Sequence, residues 1–212
     1  MEPFRVATGA AAPLLMDDIN SDQIIPSAYL KDLHADLASG FLAYMRRRPD
    51  GGHNLDFVLE KPQYRQAPIL VVGANFGCGS SREHAVWAMR AFGVRCVVGL
   101  RPAELFSENC LRNGVLTVVP SENDMAALAR HVVQADGHQP FSVDLEACEI
   151  RGPDGYRLCF EIAAHERAAL LDGLDAAGMT LKHLAAIEAW EERAAADRPF
   201  MQAPIRGAPR RP

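Results

Sequence analysis

Three short apolar runs, Ile69-Leu70-Val71-Val72, Cys96-Val97-Val98-Gly99-Leu100 and Val115-Leu116-Thr117-Val118-Val119, are separated by two stretches of helical apolar spacing. A strand that is apolar on every residue must be covered on both faces, the situation of a parallel sheet joined by crossover helices. The spacing predicts a helix from about Arg82 to Phe92, with Ala85, Ala88, Met89 and Phe92 inward and Gly93 at its C-terminal end. A second is expected over roughly Pro102 to Leu111, so the centre reads β-α-β-α-β. A further helix from Ser121 to Gln134 starts with Ser121 three residues before Asp124, like a capping box, and should turn Leu128, Val132 and Val133 inward.

The flanks read differently. Phe4 to Ala7 alternates, Asp17 to Asp22 is a turn-rich acidic stretch, and Ile24-Ile25-Pro26 is a short apolar run closed by proline in a strand-and-loop opening. Ser27 sits where a helix N-cap belongs, and Leu37, Phe41, Leu42 and Met45 predict one helix before a loop over Pro49 to Asn54. From Pro140 the period becomes two, in Phe141 to Leu145, Cys148 to Ile150 and Tyr156 to Ile162, with Gly152-Pro153-Asp154-Gly155 as a hairpin turn. Thr180 is expected to cap a last helix carrying Leu181, Leu184 and Ile187. These patterns predict one α/β domain over 1–198, a small parallel sheet with added antiparallel strands, and a loose tail over 199–212.

A chain of 212 residues, 49% hydrophobic and 23% charged, buries roughly 70% of its unfolded surface without a metal or disulfide to hold it. Its net charge of -5 argues against the basic face that a nucleic-acid reader needs, leaving only local basic patches possible. Arg46-Arg47-Arg48 and Arg210-Arg211 read as solvated loop and tail charges. Five cysteines at irregular spacing, with no Cys-x-x-Cys pair and no zinc ladder, fit a reducing compartment. No window reaches the roughly 18 apolar residues of a membrane span, so the expectation is a cytoplasmic protein that binds neither membrane nor nucleic acid.

Chemistry concentrates in Gly73-Ala74-Asn75-Phe76-Gly77-Cys78-Gly79-Ser80-Ser81-Arg82-Glu83-His84, between a buried strand and a helix. Backbone N–H groups of such a loop and of the helix start converge on one spot and receive an anion. Two hydroxyls and an arginine there are donors for a carboxylate. A dinucleotide fingerprint would need glycine at Arg82, and a phosphate loop would need Gly-Lys-Ser/Thr; neither is present. A turn whose serines merely cap the helix accounts for one serine but not for Arg82, a second serine and Glu83-His84. The loop is therefore read as carboxylate-binding or catalytic.

Asn75 to Ala85, preceded by Asn20-Ser21-Asp22-Gln23-Ile24-Ile25-Pro26 and followed by Glu104-Leu105-Phe106, Asn113-Gly114, Gly173-Leu174-Asp175 and Gly178-Met179-Thr180-Leu181, resembles the small subunits of 3-isopropylmalate dehydratase. That family corresponds to the swivelling C-terminal β/β/α domain of aconitase. The resemblance implies isomerisation of 2-isopropylmalate to 3-isopropylmalate by dehydration and rehydration in leucine synthesis. It implies Ser80 as the base that removes the proton beside a carboxylate, Ser81 as a carboxylate hydrogen-bond partner, and Arg82 as its clamp. Asp22 is placed near the site to orient its neighbours. It also implies a 4Fe-4S cluster that binds the substrate's hydroxyl and a carboxylate as a Lewis acid. This chain shows no closely spaced thiolates to hold such a cluster, so it belongs on a large-subunit partner.

Serine is a poor base unless a positive field lowers its pKa, a field that Arg82, the loop amides and the helix start would supply in a dry site. Cys78 forms no triad and is read as a small loop residue, with His84 as a helix-start hydrogen bonder. Tyr29-Leu30-Lys31-Asp32 corresponds to a family loop facing the substrate's variable group, where an apolar Leu30 suits an isopropyl tail; Tyr29 and Leu30 read equally as the first apolar turn of a helix. Arg101-Pro102-Ala103 and Ser107 replace a more aromatic family pattern, and Val86 stands where proline is common. The rival readings are a related hydro-lyase acting on citraconate or dimethylmaleate, and a non-enzymatic anion-binding module.

Overall fold

The computed structural model describes residues 1–31, 36–79 and 82–198. Ser80 and Ser81, Asp32 and the tail from Pro199 lie outside them. The chain divides into two compact units, Met1–Asp175 and Ala176–Pro212.

In the first unit the chain opens with strand β1 (Val6–Gly9) and immediately changes sheet to β2 (Ala11–Leu14). A long connection carries helical turns α1 (Ser21–Ile24), α2 (Leu37–Gly40) and α3 (Ala43–Arg46) before β3 (Ile69–Val72). Then follow α4 (Glu83–Phe92), β4 (Cys96–Gly99), α5 (Glu104–Arg112), β5 (Leu116–Val118) and α6 (Glu122–Ala135). Antiparallel strands β6 (Phe141–Asp144), β7 (Glu149–Arg151) and β8 (Arg157–Cys159) precede α7 (Ala164–Asp172). One four-stranded sheet, β2-β3-β4-β5, is parallel throughout; the other, β1-β6-β7-β8, is antiparallel.

The strand order explains the layers. Consecutive parallel strands joined by right-handed crossovers put their helices on one face of the sheet. Leu70, Val72 and Val97 accordingly share a core with Ala85, Met89 and Phe92 of α4 and Phe106 of α5. The opposite face is free for the antiparallel sheet: Ile69, Val71 and Val98 pack with Phe141, Val143, Ile150 and Leu158, and with Leu128 and Val132 of α6. Each fully buried aliphatic side chain contributes on the order of 1.5–3 kcal/mol, so both faces of β3 and β4 are committed. The α/β reading with added antiparallel strands holds, those strands forming a sheet of their own.

Several local expectations are corrected. Ile24 closes helical turn α1 rather than entering a strand, because Asn20 accepts from the Asp22 and Gln23 amides while Gln23 reaches back to the Asn20 amide. Ser27 begins a 3-10 turn, Ser27–Leu30, and does not cap it; Pro26 holds the cap position. The single helix expected across Leu37 to Met45 is broken into α2 and α3, with Leu42 left-handed at φ 51° and its amide bonded to the Ile24 carbonyl. That bond to a distant turn outweighs helical continuity. Val133 is 54% exposed, and Met125 fills the inward position instead. The last period-two run yields only the short β8, and α7 after it was not anticipated.

Arg46 is not a solvated loop charge. Its Nε donates to Glu60 at 2.7 Å, its Nη1 to the Ala38 and Phe41 carbonyls at 3.0 Å each, and its guanidinium lies over the Phe92 ring. Glu60, 3% exposed, also pairs with His53 Nδ1. Burial raises the Glu60 pKa, but the hydrogen bonds and charges of His53 and Arg46 outweigh it and hold the carboxyl below its ordinary 4.5. The unfolded chain therefore protonates Glu60 first. The stability from this group is complete above that ordinary value and is lost as pH falls through the lowered folded one. Glu60→Ala, which strands Arg46 in the interior, is expected to cost about 3–5 kcal/mol, read as a lowered urea midpoint at neutral pH.

The second unit has described helices α8 (Ala176–Leu181) and α9 (Leu184–Asp197). Thr180 lies inside α8 with its hydroxyl donating to the Ala176 carbonyl, so it is not a cap. No helix among the described residues is long and apolar enough to cross a membrane.

Candidate active site

The carboxyl ends of β2, β3 and β4 open onto three loops that are sewn together. Asp18 donates its amide to the Ala74 carbonyl (3.0 Å), Gly77 to Ile19 (2.8 Å) and Ser21 to Cys78 (2.8 Å), with Asn20 bridged in parallel to Cys78. Side chains add to this: Asp17 accepts from the Ala74 amide at 2.7 Å, and Asn75 donates to Asp18 at 2.8 Å. On the other flank the Asn75 amide meets the Leu100 carbonyl (3.3 Å) and the Ala103 amide meets Phe76 (3.0 Å). Open parallel sheets bind ligands beyond their carboxyl ends, and here the rim is held by backbone bonds from both sides.

Phe76 is fully buried and meets Phe106 edge-on, centroids 5.3 Å apart. This anchor pulls the chain down between β3 and α4, and Gly77 follows at φ 80°, with room for no side chain. Beyond it the backbone climbs to Arg82, the cap residue of α4, whose amides are left without a side-chain cap. A capless start leaves N–H groups and the positive end of the helix available to an anion.

Asp22, in the first turn of α1, and Arg82 form an ion pair across the two loops. Among the described residues this is the one polar contact of the Arg82 guanidinium. Arg82 is about one-third and Asp22 about two-thirds exposed, so both face the opening. The two predicted site residues, sixty positions apart in sequence, are thus brought together by the bridge between residues 20 and 78. Two of the other three, Ser80 and Ser81, lie outside the described residues. Leu30 ends the 3-10 turn and, partly buried, leans on the helical-side core.

His84 departs from its expected role: its ring packs on Trp87 at 4.6 Å and makes no hydrogen bond among the described residues. Glu83 is the bonded group at the helix start, accepting from Asn113 Nδ2 at 2.8 Å, while Asn113 accepts from Trp87 Nε1 at 3.1 Å. Sequence reasoning missed Asp17, Asp18 and Asn75 as loop ties; an Asp-Asp pair just ahead of the Asn20 helix cap is the turn signal that points to the first two.

The cysteines do not fit an iron–sulfur cluster. Cys96 and Cys110 are wholly buried in the core, where burial pushes both thiols far up, and the described residues contain no group of three metal-ligating side chains. A cleft of about 620 Å³ runs along α5, β5 and α7, but Glu104, Glu108, Glu161 and Glu166 line it. Four carboxylates repel a dicarboxylate, and the cleft shares no residue with the loop rim.

The fold is that of an aconitase C-terminal-type domain, and the Aconitase C-terminal domain family matches residues 1–123. The 3-isopropylmalate dehydratase small subunit of Sinorhizobium fredii is 47% identical over 201 residues, 94% of this chain and all of that protein. That of Mesorhizobium japonicum is 46% identical over the same coverage. The solved 3-isopropylmalate dehydratase structure from Methanocaldococcus jannaschii shares the fold, with a TM-score of 0.63 at 24% identity over 86% of this chain and 98% of that one. The chain belongs to the family of 3-isopropylmalate dehydratase small subunits.

Proposed function

We propose that this chain is the small subunit of a hydro-lyase that interconverts 2-isopropylmalate and 3-isopropylmalate in leucine synthesis. The observation that carries the reading is the Asp22–Arg82 pair at a backbone-sewn rim, in a chain 47% identical to a named small subunit over 94% of its length. Arg82 clamps one substrate carboxylate, Asp22 holds the guanidinium in position, and Ser81 donates a further hydrogen bond. Ser80 takes the proton from the carbon beside that carboxylate as the hydroxyl on the adjacent carbon leaves, so that water is lost overall and a C=C bond forms. Readdition of water with proton and hydroxyl exchanged between the two carbons gives the isomer, the partner's cluster supplying Lewis acidity for the hydroxyl when bound. Charge that builds on the carboxylate as the C–H bond breaks is met by Arg82 and by the uncapped amides of α4.

The proposed partner is a large subunit carrying the 4Fe-4S cluster, a reading supported by the burial of Cys96 and Cys110 and the wide spacing of the remaining thiols; paired one to one, the two would form a heterodimer. A small subunit implies such a partner. Five free cysteines, three of them at least partly exposed, support a reducing cytoplasm.

Anaerobic co-expression with the large subunit and an assay for interconversion of the two isomers tests this reading; turnover of citraconate or dimethylmaleate instead would assign the chain to a related hydro-lyase. Within that assay Arg82→Lys keeps the charge but loses the planar fork. It is expected to lower kcat/KM by roughly 10- to 100-fold, mostly through KM. An unchanged KM would remove Arg82 from the carboxylate site.

A further inference from the structure

We propose that Arg101 is a substrate-recognition residue, binding the second carboxylate of the dicarboxylate whose first carboxylate Arg82 holds; the inference rests on the function proposed above. Arg101 leaves β4 directly beside the site. Its neighbour Leu100 accepts from the Asn75 amide at 3.3 Å, and two residues on, Ala103 donates to Phe76 at 3.0 Å. The short segment carrying Arg101 is thus pinned at both ends to the glycine loop.

Its backbone is left-handed, φ 48°, a conformation in which a side chain bearing Cβ is disfavoured and glycine or asparagine is the ordinary occupant. The other left-handed residues have an evident reason. Asp18, Asn75, Asp136 and Asp154 are types that tolerate it, Leu42 is fully buried in the core, and Cys148 bonds the Leu145 carbonyl and receives the Phe160 amide. Arg101 has none: it is exposed and makes no ion pair or hydrogen bond among the described residues. Strain retained without a structural return is characteristic of a functional position.

The charges around it give the group its target. On this rim Asp18 is tied to Asn75, Asp17 to the Ala74 amide, and Asp22 to Arg82. These three rim carboxylates already have partners, and Glu104, three residues on, makes no ion pair with Arg101 among the described residues, which leaves the Arg101 guanidinium for an incoming anion. A dicarboxylate offers two charged ends, and two arginines, one at the start of α4 beyond the β3 loop and one just past β4, match that requirement. Arg101 would thereby set specificity for substrates whose second end is ionised.

Arg101→Gly removes the guanidinium and relieves the backbone, so the variant is expected to fold with an equal or higher urea midpoint. In the complex assembled with the large subunit, binding of 2-isopropylmalate and of citraconate is measured by calorimetry. The control is 3-hydroxy-4-methylpentanoate, which keeps the hydroxyl, the isopropyl group and the carboxylate assigned to Arg82, and lacks the second carboxylate. The expected result is affinity for the dicarboxylates weakened roughly tenfold or more, affinity for the monocarboxylate within twofold, and in the assay a raised KM with kcat little changed. Equal weakening for both ligand types, no weakening, or a variant that loses the large subunit in size-exclusion chromatography overturns the proposal, the last by assigning Arg101 to the subunit contact. A wild-type complex that binds dicarboxylates through Arg101 but turns over neither isopropylmalate isomer leaves this inference standing and overturns the proposed reaction; a wild-type complex that binds no dicarboxylate overturns both.

Discussion

Replacing Ser80 by alanine in the complex with the large subunit is expected to lower turnover of 2-isopropylmalate by about 10²–10⁴-fold, the usual contribution of a positioned acid–base group. KM should change little, because the carboxylate binding proposed for Ser81 and Arg82 would survive the substitution. Steady-state kinetics on the purified complex measures both parameters, with size-exclusion chromatography confirming that the subunits remain together. A variant with wild-type kcat would leave the loop as an anion cradle and place proton transfer elsewhere. Its physical basis is the field at this position: the α4 start lacks a side-chain cap and Arg82 stands at its mouth. A positive field of this kind favours the ionised form of a serine hydroxyl.

Gly77→Ala is expected to destabilise the chain by about 3 kcal/mol, combining left-handed backbone strain with overpacking. A Cβ at Gly77 would stand 2.2 Å from Phe106 Cγ and 2.5 Å from its Cδ2, and the Phe106 ring is buried edge-on against Phe76 and has nowhere to move. Gly79→Ala separates the two contributions, because its φ is also positive, 94°, but the nearest atom to its Cβ is Asn20 Cβ at 3.5 Å, an ordinary contact. It should cost about 1–2 kcal/mol, the strain alone. Urea denaturation of the two variants beside the wild type tests the difference; equal losses would mean that the Phe76–Phe106 anchor yields more readily than its packing implies.

The central β-α-β-α-β pattern was legible because both of its signals are local. Continuous apolar runs mark strands covered on both faces, and Ala85, Ala88, Met89 and Phe92 mark one helical stripe, all four buried as expected. The cap of α6 was equally legible, with the Ser121 hydroxyl meeting both the amide and the carboxylate of Asp124. Elements whose form depends on distant partners were not. The break at Leu42 follows from its bond to Ile24, and the burial of Arg46 follows from Glu60 and Phe92, neither of which is near it in sequence. Helix α7 has almost no amphipathic asymmetry, since only Ala169 and Leu170 are buried along it, and so left no periodic signal.

The chemistry of the site was likewise present in the residues themselves. A glycine-rich strand-to-helix loop ending in serine, serine and arginine announces an anion, and an acidic stretch near residue 20 supplies a counter-charge. Their meeting was not written locally. Asp22 reaches Arg82 only because β2 lies beside β3 in the parallel sheet and the loops leaving both strands are joined through Ile19, Asn20 and Cys78. Arg101 enters the same rim because β4 is the next strand over. The sequence by itself determined the strands, the helices and the kinds of side chain at the rim, because period, capping and side-chain chemistry act over a few residues. Only the tertiary structure decided which of those side chains face one another, because strand order and long-range hydrogen bonds set distances that no local pattern encodes.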